Sequence, residues 1–412
     1  MRVPSFHAFR AGRASAVAVA LTNLWAWGGN TRGQLGLGNT TNRSSPVQVG
    51  TTSTWSSVEY NRGGEHTLAT KTDGTLWAWG ANSYGQLGLG NTTNRSSPVQ
   101  VGALTTWSSL CCGLYHTAAI KTDGTLWACG FNKYGILGLG NTTNRSSPVQ
   151  VGTLTTWSKV SCGKTVTAAI KTDGTLWTWG DNRVGQLGLG NTTNRSSPVQ
   201  VGTLTTWSKI HATGCHMLAI KTDGTLWSWG ANVYGQLGHG NFTYRSSPVQ
   251  VGVLTTWSKI SGAGGVYIMS HPPFYNYIQG NSAAIKTDGT LWTWGYCGSD
   301  GVLGRNNTQP ASKPTQVGAL TTWSKINLSG GGSIGMNYQQ MVTPCAAAIK
   351  TDGTLWTWGH NAQGALGRGN VITPIRSPVQ VGTATDWTSV SCNTVLQDGG
   401  GYGAGMFAIR TT

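Results

Sequence analysis

The chain of 412 residues predicts an all-β fold, a seven-bladed β-propeller of four-stranded antiparallel blades. Three observations carry that expectation. A W-x-W-G landmark stands at Trp25/Trp27, Trp77/Trp79, Trp127/Cys129, Trp177/Trp179, Trp227/Trp229, Trp292/Trp294 and Trp356/Trp358, so the first Trp recurs at spacings of 52, 50, 50, 50, 65 and 64. A period in this range marks solenoids and propellers, in which each unit buries its faces against its neighbours. Each unit also carries four short strand signals and no helical periodicity. Finally, the last copy stops after Phe407-Ala408-Ile409-Arg410-Thr411-Thr412, and the strand it lacks, L-W-A-W-G, stands at residues 24–28. Pairing the two ends closes the ring and hides the edge strands.

Within one unit, Ala168-Ala169-Ile170-Lys171 is a short apolar strand followed by T-D-G-T. Asp-Gly between apolar stretches is a hairpin signal, with both turn residues expected at positive φ. The return strand, Leu176-Trp177-Thr178-Trp179, places both indoles on one face. After a Gly-rich loop comes Pro198-Val199-Gln200-Val201, with Pro tolerated at a strand start. A Thr-rich turn then leads to the fourth strand, Trp207-Ser208-Lys209-Ile210. Residues 21–412 read as one domain and residues 1–20 as an ordered N-terminal arm with a faint resemblance to a signal peptide. Residues 16–20 compete with the C-terminal strand for the closing position, and the C-terminal strand matches the repeat more closely.

Charge is sparse and lopsided, with 28 Lys and Arg against 12 Asp and Glu, a net +16. Six of the acids are the Asp of the T-D-G turns: Asp73, Asp123, Asp173, Asp223, Asp288 and Asp352. The excess favours polyanionic partners, although basic residues copied once or twice per unit produce the same balance without any ligand. Cys112, Cys162 and Cys392 share a position that holds Ala212 and Gly262 in other units, which points to tightly packed free thiols. The one bridge considered joins Cys112 to Cys162. Repeated N-T-T and N-R-S sequons read as copies of a polar loop. No apolar run approaches a membrane span, so membrane insertion is not expected, and no cofactor is implied.

The string W-x-W-G-x-N-x-x-G-Q-L-G-L-G (residues 77–90), then P-x-x-V (98–101), then Cys112-Gly113-Leu114-Tyr115-His116-Thr117, resembles the repeat of the regulator of chromosome condensation family. The likeness runs over residues 24–412 and implies a seven-bladed propeller. It also implies guanine-nucleotide exchange on a small GTPase, or chromatin binding. Exchange factors of this kind present an acidic, polar face, and this chain has few acids to present.

Catalysis is not expected, because no nucleophile, base and orienting group are brought together by the pattern. His66, His116 and His216 hold one equivalent position, occupied elsewhere by Val166, Asn281, Cys345 and Gly405. They either bond a neighbouring blade or converge on a metal, and no metal site is assigned.

The copies differ most between the W-S strand and the A-A-I-K strand. That gap is 13 residues from Trp157 to Ile170, but 28 from Trp257 to Ile285, 26 from Trp323 to Ile349 and 22 from Trp387 to Ile409. Three consecutive insertions at one topological position share one face. They carry Tyr267, Met269, His271, Phe274, Tyr275 and Tyr277; then Met336, Asn337, Tyr338, Gln339 and Gln340; then Gln397 and Tyr402. Tyr and Met suit interfaces, so these residues form a candidate recognition face. A second candidate is a rim of Arg43, Arg95, Arg145, Arg195, Arg245 and Arg376, with Lys313 standing in for the missing copy. The sequence reading is a non-enzymatic binding propeller with a protein partner or assembly neighbour, in particular a structural or attachment subunit of a bacterial or viral (virion) assembly. Its alternatives are an exchange-factor-like or chromatin-associated propeller, and a lectin for anionic glycans.

Overall fold

The computed structural model describes residues 21–60, 65–264, 279–329, 344–371, 374–396 and 402–411. These form seven sheets of four antiparallel strands. Blade 3 is representative, with an inner strand Trp157–Cys162, a second strand Val166–Lys171, a third strand Leu176–Gly180 and an outer strand Arg195–Gln200. Inner strands of adjacent blades contact one another around the axis. Blade 7 is assembled from both ends of the chain. Its inner strand Trp387–Leu396 and second strand Tyr402–Thr411 are C-terminal, and its third strand Thr22–Gly28 and outer strand Arg43–Gln48 are N-terminal. The pairing runs in register from Thr22↔Thr411 to Gly28↔Gly405, so the C-terminal strand takes the closing position.

Tryptophans hold each blade and also join it to the one before. In blade 3, Trp157 packs edge-on against Trp177 and at a tilt against Trp179, both with centroids 6.1 Å away. Such geometry is favoured by the ring quadrupole. Trp179 is fully buried and donates its indole N–H to Ile136 O of blade 2 at 2.9 Å. The same bond recurs from Trp79 to Gln34 O, from Trp229 to Gln186 O and from Trp27 to Ala365 O, the last across the closing junction. The G-Q-L-G loop must let the indole approach its backbone. At Gly188 (φ +73) a Cβ would lie 2.7 Å from Trp229 Nε1, so Gly is required there on both counts.

Blade 2 breaks this rule with Cys129, whose Sγ reaches only to 3.7 Å from Gln86 O. A small space lined by Leu68, Leu87, Trp107 and Trp127 remains beside it. Filling a cavity of this kind typically gains about 0.5–2 kcal/mol. Cys129→Trp is therefore expected to raise the thermal midpoint; an unchanged or lower midpoint would contradict this packing account.

Two sequence expectations need correction. In the T-D-G turn only the Gly takes positive φ (Gly74 at +78), and Asp73 does not. The loop spans three residues, closed by Gly74 N–H to Lys71 O (3.0 Å) and Lys71 N–H to Thr75 O (3.1 Å), a longer hairpin class with Gly alone at the left-handed position. Asp73 instead accepts from the N–H and hydroxyl of Thr75 at 2.9 and 2.6 Å, and Thr75 Oγ1 accepts from Trp77 Nε1 at 2.8 Å.

Cys162 is not the free thiol expected at its position: a disulfide joins it to Cys111, not Cys112, linking the inner strands of blades 2 and 3. The reason is the equivalence that suggested the pair. Residues at that position point back to the preceding blade: Cys112 Sγ lies 3.4 Å from Glu59 O, and Cys162 Sγ 3.5 Å from Cys111 O. Two such thiols cannot face each other, whereas Cys111, one residue earlier, faces Cys162. The other six cysteines are free and buried, as the packing argument expects.

Candidate binding face

Strand register places the candidate regions on the molecule. In blade 3, Cys162↔Thr167, Val166↔Gly180 and Gly180↔Arg195 stand at one end, and Trp157↔Lys171 at the other. The connection from inner to second strand and the connection from third to outer strand therefore leave from the same end. The strand ends that lead into the insertions and the rim Arg positions stand at that end, and the T-D-G turns at the other.

Of the insertion residues, Tyr267, Met269, His271, Phe274, Tyr275, Tyr277, Met336, Asn337, Tyr338, Gln339, Gln340 and Gln397 lie outside the described residues. Tyr402 opens the second strand of blade 7, paired with Leu396. The inner strand is longer in blade 5, to Gly264, and in blade 7, to Leu396, whereas in blade 6 it ends at Leu328 with the ordinary length.

Five of the rim Arg occupy one register position. Arg43, Arg95, Arg145, Arg195 and Arg245 each pair with the last Gly of the third strand, and each is partly exposed. The register departs from the sequence alignment in the remaining two blades. Ala311 and Ile375 hold the Arg position there. Arg376 is one residue further on and packs over Gly301, where other blades put a Ser; Lys313 is two further on, over Gly240. A one-residue step turns Arg376 to the other face of its strand, and a two-residue step keeps Lys313 on the same face but further along it, so neither cation is a copy of the other five.

A buried Asn builds the rim loop, a residue that the motif contained and sequence reasoning passed over. Asn182 donates its backbone N–H to Asn194 Oδ1 (2.8 Å) and its side-chain amide to Asn191 O (3.0 Å) and Thr193 O (3.1 Å), and its Oδ1 accepts from Leu187 N–H (2.9 Å). The same set recurs around Asn30, Asn82 and Asn132. Both Asn of the repeated N-T-T-N-R string therefore have structural partners, which accounts for their repetition.

The three histidines bond the next blade. His66 Nε2 meets Thr117 Oγ1 at 3.2 Å, His116 Nε2 meets Thr167 Oγ1 at 3.0 Å and His216 Nε2 meets Ser282 Oγ at 3.0 Å. Each hydroxyl spends its one proton on a backbone carbonyl, Gln86, Ile136 and Gln236 respectively. The imidazole Nε2 must therefore be the donor, which fixes a neutral tautomer. Burial pushes all three down to about 3. Among the described residues no group of three or more His, Cys, Asp or Glu side chains could hold a metal ion, and no helix is long and apolar enough to cross a membrane.

Part of the charge is already committed. Lys71, Lys121, Lys171, Lys221, Lys286 and Lys350 each sit 3.6–3.9 Å over the first Trp of their W-x-W pair, and Arg410 takes the same role against Trp25 and Trp387. Four acids outside the T-D-G turns are paired: Glu65 with Arg32 (3.2 Å), Asp181 with Arg183 (2.9 Å), Asp386 with Arg410 (2.7 Å) and Asp300 with His360 (3.1 Å). Glu59 lines the axial channel, and Asp398 lies outside the described residues.

The model of the RCC1-like domain matches residues 3–270, and that of the regulator of chromosome condensation (RCC1) repeat matches residues 288–335 and 352–393. The chain belongs to the RCC1-like domain family. Solved structures agree with this RCC1-like fold. Human WBSCR16 superposes with a TM-score of 0.75 at 22% identity, covering 95% of this chain and 99% of its own. Prp20p of Saccharomyces cerevisiae superposes at 0.74 and 20% identity, covering 96% and 93%. Among named relatives, the Ultraviolet-B receptor UVR8 of Arabidopsis thaliana is 39% identical over 90 residues, 21% of this chain and 20% of the receptor. Protein RCC2 of Mus musculus is 43% identical over 79 residues, 19% of this chain and 15% of RCC2. The matches thus span a fifth or less of these relatives.

Proposed function

We propose that this RCC1-like propeller is a non-enzymatic recognition module whose Arg-bearing face engages an acidic surface, and that it belongs to the chromatin-associated class. The observation that carries the reading is the charge arrangement of that face. Five Arg stand at register-equivalent, partly exposed positions there. Four acids outside the T-D-G turns are already paired, and the six exposed Asp of those turns lie on the opposite face. That balance speaks against the acidic presentation of an exchange factor. Solved relatives are consistent with a protein-binding role: Prp20p is described with its binding to Gsp1p and histones, and yeast RCC1 (Prp20) bound to Kap60. These relatives favour the chromatin or exchange alternative over the virion or attachment subunit that the sequence first suggested. Nucleosome core particles are the direct probe. Binding should weaken steeply with salt, with no acceleration of nucleotide release from a small GTPase; salt-independent binding or accelerated release would overturn the reading.

A further inference from the structure

The axis of the ring carries a second group of cations, at a different place from the Arg rim. The third residue of the inner strand is Lys159, Lys209, Lys259 and Lys325 in blades 3 to 6, and Ser in the other three. All four Lys line one axial cavity of about 480 Å³, together with a single carboxylate, Glu59. One aliphatic side chain from each of blades 2 to 7, such as Ile210 and Ile260, lines the same space. Lys159 pairs beside the Trp157↔Lys171 end of its blade, so the cations sit toward the T-D-G face, away from the Arg rim.

Three of the four ammonium groups are held by backbone carbonyls. Lys159, Lys209 and Lys325 each donate to the carbonyl of the second inner-strand residue of the next blade, Ser208, Ser258 and Thr388. An ammonium has three N–H donors, so each keeps capacity for a further acceptor. Desolvation and then the neighbouring Lys lower the pKa of Lys209 and of Lys325. Like charges held this close cost free energy unless something negative shares the space.

We propose that the axial cavity is a binding site for a small multivalent oxyanion of the oligophosphate class, gripped by Lys159, Lys209, Lys259 and Lys325. Ammonium groups act as point-charge ligands for phosphate oxygens. The cavity is of ordinary ligand-pocket size, and its field is that of four cations against one anion. The site is independent of the macromolecular reading above, because it lies toward the other face and uses none of the Arg rim.

Isothermal titration with tripolyphosphate at low ionic strength tests it. The native chain is expected to bind one equivalent. Lys209→Gln/Lys259→Gln should weaken that binding at least tenfold, whereas Arg95→Gln/Arg145→Gln should leave it within about twofold. The Lys side chains are exposed or half-buried, and an unchanged melting curve would establish that the Lys variant is folded. No binding by the native chain, several equivalent sites, or equal loss in both variants would each overturn the proposal.

Discussion

Deleting residues 402–412 is expected to abolish the cooperative folding of the whole ring. The second strand of blade 7 pairs on one side with Thr22–Gly28 and on the other with Trp387–Leu396. Without it, the N-terminal half of that blade has no partner, and two sheet edges open at once. Phe407 is fully buried against Trp79 and Tyr60 of blade 1, so the loss reaches into the next blade's core as well. Exposed edges of this kind also template aggregation. The expected result is loss of the near-ultraviolet Trp dichroism and of a sharp thermal transition. A truncated chain that melts cooperatively within a few degrees of the intact one would refute terminal closure as the source of ring stability.

Acid is the second large lever. His66, His116 and His216 are buried and held neutral, with pKa values near 3. His66 Nδ1 and His116 Nδ1 are buried without a hydrogen-bond partner, so a proton placed there has nothing to bond. In the unfolded chain the same groups titrate near 6.5. Their contribution to stability is complete above about pH 6.5 and is lost as pH falls toward about 3, because only the unfolded chain takes up the protons. Each group contributes up to about 1.4 kcal/mol per pH unit in that window, so three together approach roughly 4 kcal/mol per unit. The T-D-G carboxylates act elsewhere: hydrogen bonds from Thr75 and its equivalents hold them below the ordinary range, so their effect begins only below it. Urea midpoints at pH 7 and pH 5 measure the slope. His116→Val, which copies Val166 of blade 3, should remove about a third of it; an unchanged slope would contradict the assignment.

The sequence carried the fold because repetition amplifies weak signals. Asp-Gly turns, paired Trp and a terminal half-blade each mean little once, and the same four strands written seven times leave one architecture. What it did not carry depends on which way a side chain points. Cys112 and Cys162 align in the repeat, and for that reason both face backwards and cannot meet. Arg376 aligns by eye with Arg245, but one residue of register moves it to the position of a Ser. The Lys of W-S-K looks like surface charge until the inner strands are drawn together around an axis. Lys164 gave no signal at all, yet it is almost fully buried, and burial holds its pKa at about 8.

The central claim is that the Arg face recognises an acidic surface, and one titration tests it most directly. Nucleosome core particles would be titrated with the native chain and with Arg95→Glu/Arg145→Glu/Arg195→Glu between 50 and 200 mM salt, roughly the range over which phosphate contacts are resolved. If all five rim Arg engage phosphate, log Kd should change with log salt at a slope of about 4 to 5. Reversing three of them should weaken binding at least tenfold and flatten that slope. Native and reversed chains that bind equally, with equal salt dependence, would show that the Arg face is not where recognition occurs.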